Sequence, residues 1–361
     1  MIYSTRFFIL LPANNIACSC ANNTTDYSTR FSNAINQAYK LDTNGQAVAL
    51  AGNLTSVGGT LTKSGAGTLT VSGNNSYDSG TTLSGGILAL GSANAIGSAG
   101  TISFAGGTLQ FGTNNSTDYS ARFSTAASQA VSLDTNGQAV TLATGLTSSG
   151  GTLTKLGLGT LTLTGTNTAA GGTTISAGTL AVGAGGTVGT LAGNVVDNAQ
   201  LVVNRSDAIT LAGDISGTGS LTKQGGGTLT LTGNAGHSGG TTITTGALSV
   251  GAGGTAGTLT GNVVDNAQLV VNRSDAITLS GNIINVAGNN QNLAGAEVAG
   301  VDVQVNWSMD MGPGTIDASV VGGYLDQWTE ETIPNVFRER AGFIANTGPL
   351  GSSVGPRPQA F

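Results

Sequence analysis

One pattern returns three times in this sequence, and that return restricts the fold more than any other feature. Residues 58–90 read GGTLTKSGAGTLTVSGNNSYDSGTTLSGGILAL, residues 150–182 read GGTLTKLGLGTLTLTGTNTAAGGTTISAGTLAV, and residues 217–250 read GTGSLTKQGGGTLTLTGNAGHSGGTTITTGALSV. A second element at 22–50 returns at 114–142. A third, GNVVDNAQLVVNRSDAITL, stands letter for letter at 193–211 and 261–279. Such self-similarity marks a repeat architecture, in which a unit buries its apolar face only by stacking on its neighbours.

The spacings indicate how the units stack. Lys63, Lys155 and Lys223 mark equivalent points, with an offset of 92 between the first two and of 68 between the last two. The step from each lysine to a closing apolar position is constant, from Lys63 to Leu90, from Lys155 to Val182 and from Lys223 to Val250. The spacers between units are not constant, because Leu90 to Lys155 is longer by 24 than Val182 to Lys223. That difference reads as one whole coil of a solenoid, since 92 is four times 23 and 68 is close to three times 23. A solenoid accepts an extra coil because each coil touches only those above and below it. The expected fold class is therefore all-β, a parallel β-helix or β-solenoid over 21–284. It would hold roughly 11 coils of about 23 residues and reach on the order of 55 Å at ~4.8 Å per coil.

Local patterns agree. Thr68-Leu69-Thr70-Val71, Thr160-Leu161-Thr162-Leu163 and Thr228-Leu229-Thr230-Leu231 alternate polar and apolar, the period of a half-buried strand. Leu69 and Val71 are expected inside, Thr68 and Thr70 outside. Gly65, Gly67 and Gly73, matched by Gly157, Gly159 and Gly165, are expected at corners where positive φ costs glycine nothing. Asp42-Thr43-Asn44-Gly45 and Asp134-Thr135-Asn136-Gly137 are turn sequences.

Composition narrows the function classes. Charged residues make up 8% of 361, the net charge is −6, and only 12 residues are Lys or Arg. This is no electrostatic footprint for nucleic acid, and that partner is excluded. One His and two Cys leave little for metal or nucleophile chemistry. No stretch approaches the ~20 apolar residues of a transmembrane helix. Residues 1–20 form a leader-like segment, with Arg6 before the short apolar run Phe7 to Leu11, readable as a weak export signal or a false start. Cys18 and Cys20 stand too close in sequence for an easy mutual disulfide.

The unit LTKxGxGTLTLxGxNxxxGGTTxxxGTLxV resembles the autotransporter-associated β-strand repeat of bacterial passenger domains, and all three copies fit it from Lys63, Lys155 and Lys223. The resemblance implies a right-handed parallel β-helix at the cell surface or released from it, in a Gram-negative type of bacterium. It links the repeat to export and stacking, with the outer-membrane export machinery as a partner, and to no catalytic residue. A complete member ends in a translocator barrel of several hundred residues, for which this chain has no room. Beyond Asn285 the texture changes, with both tryptophans, Trp307 and Trp328, and a strictly alternating run from Val301 to Trp307. A turn is expected at 310–314 and a second strand from Ile316 to Trp328. This antiparallel hairpin resembles a late barrel hairpin of TonB-dependent outer-membrane receptors, with a soluble hairpin that caps the solenoid as the alternative reading. Three segments result: 1–20, the solenoid at 21–284, and the hairpin and tail at 285–361.

No residue makes a persuasive chemical site. His237, at the position of Tyr77 and Ala169, is expected in a solvent-facing loop without a fixed acid partner. Gly183-Ala184-Gly185-Gly186 and Gly251-Ala252-Gly253-Gly254 lack the lysine of a phosphate loop. Asp42/Asn44 and Asp134/Asn136 resemble the start of a calcium loop without its distal acids, and Asx turns are the better reading. Arg205/Asp207 and Arg273/Asp275 are expected as charged ladders between coils. Asp26, Tyr27, Arg30 and Phe31, repeated at Asp118, Tyr119, Arg122 and Phe123, read as the packing of a larger corner, with ligand contact as the lesser alternative. No catalytic, cofactor or metal residue is assigned, and no cofactor is expected. The function expected is a non-catalytic surface or secreted solenoid, structural or adhesive, whose ligand would be a host-cell, glycan or matrix surface. The alternatives are a piece of an outer-membrane receptor and a polysaccharide-active β-helix enzyme.

Overall fold

The computed structural model describes residues 25–285, together with the backbone of four strands: Ile9–Leu11, Asn15–Ser19, Val303–Met311 and Gly314–Gly322. Two compact units divide the chain, 1–293 and 294–361. In the first, the backbone winds as a parallel β-solenoid with three sides. Strands Ala38–Asp42, Thr60–Ser64, Thr81–Leu83 and Ile102–Phe104 pair in parallel on the first side. Asn15–Ser19 joins that sheet parallel to Ala38–Asp42, and Ile9–Leu11 adds to it antiparallel, so part of the leader-like segment carries two strands. The second side is a continuous sheet of eleven strands, from Ala47–Leu50 at one edge to Thr258–Leu259 at the other. The third side holds eight strands, from Ala139–Leu142 to Ile283–Asn285. From Ile209–Leu211 onward a further four-stranded sheet closes each turn. Among the described residues no helix is long and apolar enough to cross a membrane, which says nothing about strands.

The strands form where alternation predicts them. Leu69 and Val71 are buried, and Thr68 and Thr70 lie on the outer face. Leu161, Leu163, Leu229 and Leu231 fill the same inward positions in the other copies. Each fully buried Leu or Val contributes about 1.5–3 kcal/mol relative to exposure. Because every coil repeats the contribution, stability accumulates along the axis.

The coil is mostly shorter than the offsets suggest. Register partners are Leu69 and Leu88 in one turn, Ile215 and Ala235 in another, and Leu109 and Leu133 in the longest of the three. The repeats also do not stand above one another. Lys63 lies on the first side, Lys155 on the second and Lys223 on the third. The step from Lys63 to Lys155 is thus four turns and a third, and that from Lys155 to Lys223 is three turns and a third. The first shift occurs where Ile102 bridges to Phe123 on the first side and strand Ala130–Asp134 then pairs with Thr108–Phe111 on the second. Each copy is therefore rotated by a third of a turn, and the integer-coil reading of the offsets is corrected. Any parallel strand can stack on any other of matching inward pattern, so the sheets tolerate the rotation.

The corners correct one further expectation. Gly65 and Gly67 adopt φ of +69° and +90°, as do Gly157 and Gly159 at +68° and +92°. Gly73 and Gly165 do not have positive φ. They are glycine because the coil below passes too close: a Cβ on Gly73 would collide with the Gly52 carbonyl oxygen.

In the second unit, Val303–Met311 and Gly314–Gly322 pair antiparallel from Val303↔Gly322 to Met311↔Gly314. The first strand runs past the expected turn because Met309 and Met311 extend the alternation of Val303, Val305 and Trp307. Only Gly312 and Pro313 separate the strands. Trp328, the expected end of the second strand, lies outside the described residues.

Candidate functional site

The recurring positions of the three copies are internal fittings. In Thr60-Leu61-Thr62-Lys63 the lysine has the same parity as Leu61, so the strand turns it inward. Lys63, Lys155 and Lys223 are all fully buried. The Lys63 Nζ donates to the carbonyls of Ser64 and Gly65 at 2.8 Å and to Gly85 of the next coil at 3.0 Å. Lys155 does the same toward Leu156, Gly157 and Ala177, at 2.9, 2.7 and 3.0 Å. Lys223 repeats it toward Gln224, Gly225 and Thr245, at 2.8, 2.8 and 3.2 Å. An ammonium has three donors and each corner offers three carbonyls, so the group is satisfied while tying one coil to the next. Burial pushes Lys155 down to about 8, partly opposed by the Asp134 carboxylate. Sequence reasoning used these lysines as markers and missed their role, though the parity of the strand carried the signal.

The charged pairs are also fittings, within a coil rather than between coils. Arg205 Nε and Nη2 donate to the two oxygens of Asp207 at 2.8 and 2.9 Å, and Nη1 donates to the Gly189 carbonyl. Arg273 forks onto Asp275 at 2.8 and 2.7 Å and donates to Gly257. Each fork holds the neck of a glycine-rich excursion, 183–189 or 251–257. The expected ladder fails because no like charged pair stacks on the adjacent coil, and each arginine instead ties its own coil to the glycine-rich excursion of the coil beneath it.

Asp26 and Asp118 are staples. Asp26 accepts from Ser28 N and, a coil away, Ala51 N, both at 2.8 Å; Asp118 accepts from Ser120 N and Ala143 N, also at 2.8 Å. Burial pushes the Asp26 carboxyl up, but these hydrogen bonds outweigh it and hold the group below its ordinary range. Arg122 donates to three carbonyls, Gly97, Ala99 and Gly100, at 2.6, 2.6 and 2.9 Å. The Asp/Tyr/Arg/Phe cluster is thus corner packing. Asn44 N and Asn136 N bond Asp42 and Asp134 Oδ1 at 2.8 and 2.9 Å, which are Asx turns. Among the described residues no three His, Cys, Asp or Glu side chains gather into a metal cluster.

His237 is not solvent-facing. It is fully buried, with Nε2 3.0 Å from Thr241 Oγ1. Tyr77 in the first copy is buried in the same way, its hydroxyl 2.8 Å from Thr81 Oγ1. The sequence reading failed because an aromatic ring at this loop position folds under the coil to reach a threonine four residues on. In the second copy Ala169 stands there and Val131 replaces Tyr39, leaving a shallow depression lined by Phe123, Gln129, Val131, Leu146 and Ala169.

What remains for a partner is the outer surface. One column of alternate positions on the third side runs in unbroken register through Thr141, Thr162, Ala181, Val202, Thr222, Thr242, Val264 and Ile284, with Ala181 and Val202 buried and the other positions exposed or half-buried. It carries no charge. Every ring in the described interior faces inward or packs at a corner, as in the Tyr39–Tyr77 pair at 6.4 Å and Phe104–Phe123 at 5.1 Å. The third side thus presents an uncharged column rich in threonine, whereas the first side exposes Lys40, and among the described residues no catalytic constellation is found.

Comparison with known proteins bears on this arrangement. Residues 61–90, 153–182 and 221–250 each match the Passenger-associated-transport-repeat family. Three segments of the chain thus carry the passenger-associated transport repeat. The matched segments are the three rotated copies, each from the start of its lysine-bearing strand to the closing apolar residue. The chain is also 40% identical over 222 residues, 59% of its length, to a protein of Brucella suis biovar 1 (strain 1330) described as the adhesin BmaC autotransporter. It spans about 6% of that relative's length. No solved structure matches the chain.

Proposed function

We propose that this chain is part of a bacterial surface passenger with a structural or adhesive role and no catalytic chemistry of its own. The observation that carries this reading is the set of three passenger repeats whose lysines serve as corner ties. Similarity to an autotransporter adhesin supports the adhesive side. The uncharged, threonine-rich column of the third side supports contact by an extended surface rather than by a pocket. On this reading the repeats are displayed outside the outer membrane, delivered by its export machinery, and the ligand is a host-cell, glycan or matrix surface.

Two measurements test it. Protease added to intact cells should cleave the repeats without lysis, and resistance in intact cells would remove the display reading. Beads coated with the purified chain should attach to cultured cells, immobilised glycans or matrix protein above albumin-coated beads. Attachment to none of them would leave a display stalk without adhesion. A second reading, a piece of an outer-membrane receptor, draws on the two nine-residue strands at 303–322, close to the ~9–11 residues of a membrane-crossing strand. It predicts that deleting 303–322 abolishes detergent-dependent membrane partition.

A further inference from the structure

We propose that the coil carrying His237 is an acid-labile joint, which opens locally when the buried imidazole takes up a proton while the earlier coils stay wound. Three features of the structure meet there. His237 is the one histidine of the chain and is fully buried. Its Nε2 has Thr241 Oγ1 as partner, whereas Nδ1 has none. Whichever nitrogen carries the proton at neutral pH, a second proton creates a buried cation with an unanswered N–H, a costly state in an apolar interior. The second-side ladder is also thin here. On the second side, strands Ile215–Ser216, Asn234–Ala235 and Thr258–Leu259 are two residues long, and the first two share only the pair Ile215↔Ala235. By contrast, Ala130–Asp134 and Thr152–Leu156 pair along their whole length. Segments with few ladder bonds open at lower free energy than the rest of a fold.

No charged group stands ready to accept the imidazolium. The coil below presents Ile215, Ser216 and Gly217, and the coil above presents Leu259, Thr260 and Gly261. Asp214 is exposed, with Oδ1 engaged by Asn234 N at 2.8 Å. Asp197, two coils below, accepts from Ala199 N at 3.0 Å, and Asp265 in the coil above accepts from Ala267 N at 3.1 Å. Lys223, in the same turn, is committed to its three carbonyls. Burial holds His237 below its ordinary 6.5, and the Gly240 backbone offsets only part of this. The folded form therefore keeps its full stability above pH 6.5 and loses it as pH falls through the lower folded value.

Hydrogen exchange of the full chain, read by peptide mass after correction for intrinsic rates, tests the joint at pH 7.5 and pH 5. Residues 234–243 are expected to exchange at least tenfold faster at pH 5, with 60–90 unchanged, and His237→Tyr, which restores the side chain of the first copy, should remove the acceleration. An unchanged rate in the wild type, or equal acceleration in His237→Tyr, overturns the proposal. Should His237→Tyr already differ from wild type at pH 7.5, His237→Phe takes its place under the same criterion. The lone imidazole resonance gives an independent readout by NMR. It should protonate below pH 6.5 together with opening, and an ordinary titration at 6.5 without opening overturns the proposal.

Discussion

A buried lysine in a solenoid core looks like an error until its three donors are counted. Lys155 is fully buried, yet its ammonium meets the carbonyls of Leu156, Gly157 and Ala177. Replacing it by Met keeps the stem and removes the donors, leaving corner carbonyls that the fold has turned away from water. Lys155→Met should destabilise the chain by about 1–3 kcal/mol, the range for hydrogen bonds to a charged group, as measured by urea unfolding. A neutral or stabilising result would mean that the burial cost of the charge equals what the carbonyls return. Gly67 offers a separate residue-scale test. With φ at +90° and a virtual Cβ driven into the Gln46 carbonyl oxygen, Gly67→Ala must either shift two coils or strain one. The expected cost is about 2–4 kcal/mol, from the conformation together with the clash. Gly226→Ala, whose Cβ meets nothing within 4 Å, is the matched control and should cost little.

At the scale of the element, the three copies are a natural mutation series on one scaffold. The first copy fills its corner with Phe31, Tyr39 and Tyr77, ring centroids 6.2 and 6.4 Å apart. The second keeps Phe123 but has Val131 and Ala169, and Phe123 packs edge-on against Phe104 instead. Thr173 still stands four residues beyond Ala169, as Thr81 does beyond Tyr77. Ala169→Tyr should therefore be accepted and raise stability by about 1 kcal/mol through filled space and a new hydroxyl partner, read from the thermal midpoint. A lowered midpoint would show that the backbone has closed over the slot. This corner also marks where sequence reasoning stops. Strand alternation, such as Leu69 and Val71 inward, was legible because it depends on nearest neighbours in the chain. The inward placement of His237 was not, because it depends on Thr241 and on the coils above and below, which no local pattern names. The lysines were legible by parity and went unread, since a charge at an inward position contradicts the usual expectation of exposure.

At the scale of the molecule, rotation by a third of a turn decides what the solenoid can present. The loops equivalent to 74–80 recur at 166–172 and 234–240, following the lysines from side to side. No single side gathers all three, so a ligand that reads this loop meets it at three azimuths along the axis. The arrangement suits a spacer or a broad contact surface better than a groove, which needs its residues in one column. It also makes a prediction about length. Since Val195 pairs with Ile215, deleting residues 196–215 joins Val195 to Ser216 and removes one turn without disturbing the inward pattern. The shortened chain should keep its β-sheet circular dichroism and unfold cooperatively with a smaller dependence on urea, because less surface is exposed. Deleting only 196–205 removes half a turn and delivers the following strands to the wrong sides. That variant should lose the cooperative transition. If both deletions behaved alike, stacking register would not be what holds the coils together, and the account of the repeats as copies rotated by a third of a turn would fail with it.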